Sequence, residues 1–117
     1  MKYLIVPEPV KITDVFENQV YVDESRTPYI MDLKIFLLGR LTDPKLTDGK
    51  NGMDAALFAF SIKARIDTST FEVGSKIEFE DDQWNGLCRA VKEPTGGYDA
   101  RFQHKLVPFI KAVVNAT

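Results

Sequence analysis

The chain has 117 residues, 44% of them apolar and 27% charged, with a formal net charge of −2 and a single cysteine. That length and apolar share describe one folded domain, residues 1–117, with enough material for its own core, and exclude a disordered tail. The near-neutral balance supplies no field to gather nucleic acid or an anionic membrane, and a lone cysteine excludes an internal disulfide framework.

The N-terminal run KYLIV reads as a short strand closed by Pro7, confined to a sheet edge because proline lacks a ladder amide. Its four-residue apolar stretch is too short for a signal peptide or a membrane span, so the expected location is the cytoplasm. VKITD and QVYVD, on either side of the polar FEN corner, are candidate strands of a hairpin. Next, residues 28–42 predict a helix with Thr27 as N-cap and Pro28 at the first helical position. Ile30, Leu33, Leu37 and Leu41 share one face, and Met31, Ile35 and Leu38 line the adjacent one. A helix so widely apolar is either central or covered by a partner chain. Met31, Ile35, Phe36 and Leu38 are therefore the candidate partner-binding residues, with a homo-oligomer or an obligate protein partner expected. The stretch 43–52, with one proline and two glycines, reads as a long surface loop.

A second helix is expected over 53–66, where Ala55, Phe58, Ala59, Ile62 and Ile66 make a stripe that Leu57 and Phe60 widen. KIEFE alternates as a brief strand with Ile77 and Phe79 on one face. A third helix follows over 82–92, capped by Asp81 or Asp82, with Trp84, Leu87, Cys88 and Val91 on its buried side. Pro94, Gly96 and Gly97 end it, and a last helix over 99–115 is expected to bend at Pro108. The fold class is thus α+β and helix-dominated: four helices with a small antiparallel β element.

The only cysteine and the only histidine fall close together in sequence, which raises a nucleophile and its base. Cys88 belongs to the buried stripe of its helix, whereas His104 lies about 200° around the last helix from Phe102, so the two point apart. No catalytic residue is assigned. One Cys and one His cannot make a zinc site, and the loop at 43–54 puts a lysine where calcium needs an acidic ligand. No metal or cofactor is expected. Residues 83–117 hold five Lys/Arg against two Asp/Glu, but the aromatics there point to the core, so nucleic acid is not the expected partner.

In this order, the β-leaning QVYVDESRTP, the apolar MDLKIFLLGRL, the helix ALFAFSIKARI, the entry IEFEDDQW and the closing HKLVPFIKAVVNA resemble the small accessory proteins of tailed bacteriophages. The tail-assembly chaperone class is the most similar, over roughly residues 20–116. The resemblance implies a non-catalytic protein that binds other chains during tail or particle assembly, in the host cytoplasm or carried in the virion, with no cofactor. The rival reading is a small phage-type regulator that binds and blocks a host protein or nucleic acid.

Overall fold

A computed structural model describes residues 1–117. In chain order it contains β1 (Lys2–Ile5), β2 (Val10–Lys11), β3 (Ile30–Met31), α1 (Leu33–Arg40), α2 (Gly52–Thr68), β4 (Lys76–Phe79), α3 (Asp81–Lys92) and α4 (Val107–Val114). Short 3-10 turns at Pro44–Thr47 and Gln103–Leu106 precede α2 and α4. The class is the expected one: four helices with a small antiparallel β component. No helix is long and apolar enough to cross a membrane.

β1 pairs antiparallel with β4, Leu4 opposite Ile77 and Lys2 opposite Phe79. The strand alternation sends Leu4, Ile77 and Phe79 into the core, while Tyr3 and Ile5 face outward. The other edge of β1 is closed by the C-terminus, since Tyr3 and Thr117 exchange both backbone hydrogen bonds (3.0 and 3.2 Å). The hairpin between residues 12 and 20 forms, with the amide of Val20 donating to the carbonyl of Ile12 at 3.1 Å. Its tip is held by the Asp14 carboxylate, which accepts from the amides of Phe16 and Asn18.

Two helix boundaries differ from expectation. Residues 28–31 are extended, because the Tyr29 amide donates to Val20 and the Tyr29 carbonyl accepts from Ile12, and β3 then pairs with β2. α1 therefore starts at Leu33, with Asp32 as its cap: the carboxylate accepts from the Ile35 amide at 2.8 Å. At the other end of the chain, the expected long helix is a 3-10 turn followed by α4, and Pro108 sits in the first turn of α4. No helical hydrogen bond is lost there, so Pro108 starts a helix instead of bending one. A smaller shift occurs at α3, whose N-cap is Glu80, with its amide donating to Gln83 Oε1 at 2.9 Å; Asp81 and Asp82 fall in the first turn.

The 43–52 segment is only partly the surface loop expected. Leu46 is fully buried, and Asp43 is a polar hub between this segment and the end of α3. The Asp43 carboxylate accepts from the Lys45 amide (2.9 Å), the Thr95 amide (2.8 Å) and the Thr95 hydroxyl (2.9 Å), and Arg40 lies 3.9 Å away. Arg89 adds donations to the carbonyls of Lys45 and Leu46 at 3.1 and 3.2 Å. Burial raises the pKa of the Asp43 carboxyl, but the Lys45 and Thr95 donors with Arg40 outweigh it, and the net shift is downward. A carboxyl depressed in the folded state stabilises above its unfolded value of about 3.9, and that stability is lost as pH falls through the folded value. Asp43→Asn is therefore expected to cost about 2 kcal/mol at neutral pH and less below pH ~4. Urea denaturation at the two pH values checks this, and an equal loss at both would refute the charge-based account.

Candidate interaction surfaces

The four residues singled out on the first helix do not form an open face. Met31 and Phe36 are 6% and 4% exposed, Leu38 is half-buried, and only Ile35, at 47%, reaches solvent. The cause is an aromatic stack: Phe36 lies 5.8 Å from Phe109 on α4 and 6.1 Å from Tyr98, which covers the face expected to be free. α1 is also half the predicted length, so its apolar circumference is easier to cover.

Met31, Ile35 and Phe36 do meet in one place, a cleft of about 280 Å³ shared with Tyr29, Tyr98 and Phe102. Arg40 stacks over Tyr98 and Phe36 at 5.0 and 5.9 Å on its rim. Its polar groups are largely engaged within the chain. Tyr98 Oη donates to the Val91 carbonyl at 2.7 Å, and burial pushes the phenol pKa up against the opposing effect of Arg40. Arg101 holds Asp99 through two hydrogen bonds of 3.1 and 2.8 Å, while Arg40 Nε has no hydrogen-bond partner. The cleft offers apolar contact more than polar recognition.

An exposed apolar stripe lies on α2. Phe58, Ile62 and Ile66 enter the core, as the spacing predicts. Leu57 and Phe60, expected to broaden that stripe, are 58% and 69% exposed, and Met53 is 74% exposed. At about 100° per residue, Met53, Leu57, Phe60 and Ala64 form a second stripe about 180° from the first. α2 packs against α1, β4 and the 44–47 turn on its inner side only. Beside Leu57 lies a hollow of about 560 Å³ bounded by Gly49, Lys50, Asn51, Asp54 and Phe58. The outer face is bordered by Asp54 and by the Lys63–Asp67 ion pair (2.6 Å). A spacing of i, i+4, i+7 was visible for this second stripe, but a helical wheel alone does not say how many sides of a helix are covered.

Cys88 and His104 are not brought together. Cys88 is buried in α3, and His104 is exposed on the turn before α4. Burial raises the Cys88 thiol pKa, only partly opposed by Lys92, Lys2 and Arg89, so the sulfur is held as a thiol. Trp84, expected in the core, is half-buried: its indole Nε1 donates to the Val113 carbonyl at 2.8 Å, and the Lys2 ammonium lies 4.7 Å from its ring.

No protein-family model, curated protein or solved structure matches the chain.

Proposed function

We propose that this protein is a non-catalytic binding module that docks onto other protein chains through the outer face of α2. The observation that carries the reading is the second apolar stripe, Met53, Leu57 and Phe60, displayed on a helix whose opposite side already serves the core. Large apolar side chains grouped on one exposed face are what protein interfaces use, and Phe60, aromatic and central in the stripe, is the natural anchor. The setting we assign is particle assembly in a tailed phage, in the cytoplasm of the host; its support is the resemblance of residues 20–116 to the tail-assembly accessory proteins.

The test is Phe60→Glu in the full chain. Burying a carboxylate at an apolar anchor should weaken association tenfold or more, because each ~1.4 kcal/mol is a factor of ten and anchors exceed that. Since Phe60 is exposed, the melting temperature should stay unchanged. Self-association and binding to the products of the neighbouring genes are the readouts. Association that is indifferent to Phe60→Glu and Leu57→Glu would overturn the reading.

A further inference from the structure

The cleft of about 280 Å³ beside α1 has four aromatic rings in its lining, those of Tyr29, Phe36, Tyr98 and Phe102, and no residue of α2. We infer that it binds a small aromatic carboxylate, with the ligand's ring against the aromatic lining and its acid group on the guanidinium of Arg40. Aromatic rings recognise another ring by offset or edge contacts, and the volume lies at the small end of ligand pockets, which suits an acid of one or two rings.

The acid group is specified by Arg40. Its side chain is only 21% exposed and lies over the rings of Tyr98 and Phe36, where its charge is short of acceptors. Nε has no hydrogen-bond partner, and the carboxylate that comes within 4 Å, that of Asp43, is 3.9 Å from Nη1, beyond hydrogen-bond reach. Asp43 is already committed elsewhere, accepting three hydrogen bonds from Lys45 and Thr95. A largely buried guanidinium in this state gains from an incoming carboxylate, which can accept from both terminal nitrogens in the planar fork that arginine favours. The other charged residue of the lining, Asp99, is held by Arg101 through two hydrogen bonds, so that pair sets no net charge against the ligand.

Gly39 is the second, independent sign. It lies inside α1, where glycine is disfavoured relative to alanine. Neither conformation nor packing within the chain requires it: its φ is not positive, and a Cβ there would meet nothing within 4 Å. Yet it lines the cleft. A missing side chain lets a ligand come close to the backbone, and here it keeps the α1 wall open to the ligand's ring.

The test is an amide chemical-shift titration of the full chain with phenylacetate, and with phenylacetamide as its uncharged counterpart. Phenylacetate should give saturable shifts at Gly39, Gly97 and Phe102 at concentrations on the order of 1 mM, and phenylacetamide should bind about tenfold more weakly or worse. Arg40→Lys keeps the charge and loses the fork, and should weaken the acid but not the amide. Gly39→Ala separates a binding role from a structural one. Its melting temperature should be no lower than that of the wild type, since the added methyl meets no atom and favours the helix, while phenylacetate binding should fall about tenfold. No saturable shift at the cleft, equal binding of acid and amide, or full binding by Gly39→Ala would each overturn the proposal.

Discussion

Phe109→Ala is expected to cost about 3–5 kcal/mol, a large part of the ~5–15 kcal/mol that holds a domain of this kind together. Phe109 is fully buried, in the first turn of α4, and its ring stacks on Phe36 at 5.8 Å and 28° between planes. Phe36 in turn stacks on Tyr98, so the ring of Phe109 is one end of a three-ring row that joins α4 to α1 and to the chain after α3. Truncation removes apolar surface from the core and leaves a void that three separate elements border, so collapse around it requires all of them to shift. Urea denaturation of Phe109→Ala, with the exposed Phe16→Ala as a control expected within ~0.5 kcal/mol, measures the effect. A loss below ~1 kcal/mol for Phe109→Ala would show that this row of rings is not a fixed part of the core.

Local pattern alone located α2, β4 and α3 because their signals are local. The stripe Phe58, Ile62, Ile66 and the alternation Ile77, Phe79 need no distant partner to be recognised, and both are buried as they imply. The start of α1 failed for the opposite reason. Thr27-Pro28 has the chemistry of a helix entry, but Tyr29 is held extended by Ile12 and Val20, which are remote in sequence. The two prolines exchange roles: Pro28 lies in extended chain opposite Tyr21, and Pro108 occupies the first helical turn. Both satisfy the same steric rule, and only tertiary pairing decides which of them begins a helix. The Asp43 hub was hidden for a similar reason, since its partner Thr95 lies 52 residues away.

The same limit put the exposed apolar stripe on a helix other than the one expected. Counting apolar residues marked α1 as too apolar for one chain to cover, yet the row Tyr98–Phe36–Phe109 covers it. α2 was assigned a single broad stripe, yet its 17 residues outreach the 8-residue α1, the 4-residue β4 and the 44–47 turn that pack on it, and the side away from them stays bare. Which of two apolar faces is buried depends on the lengths and positions of the neighbours, and amphipathic spacing does not contain that information.

A glycine that the sequence left unexplained, Gly86 in the middle of α3, should be nearly as intolerant as the aromatic row. Glycine inside a helix costs about 1 kcal/mol relative to alanine, so its presence there calls for a compensating reason. The reason is proximity: a Cβ at this position would lie 2.8 Å from the Leu46 carbonyl oxygen and 2.9 Å from Phe58 Cε1. Neither neighbour can yield easily. The Leu46 carbonyl accepts from Arg89, its turn is clamped through Asp43 to Thr95, and the Phe58 ring is buried beneath the Lys50 ammonium at 4.6 Å. Gly86→Val adds three carbons and a branched Cβ to that contact, which must push α3 away from both α2 and the 44–47 turn. The expected loss is about 3 kcal/mol or more. Gly86→Ala should lose about half as much, because the gain in helix propensity offsets part of the clash. Thermal and urea unfolding of the two variants give the order wild type, alanine, valine in decreasing stability; an alanine variant more stable than wild type would mean that α3 does not approach Leu46 this closely.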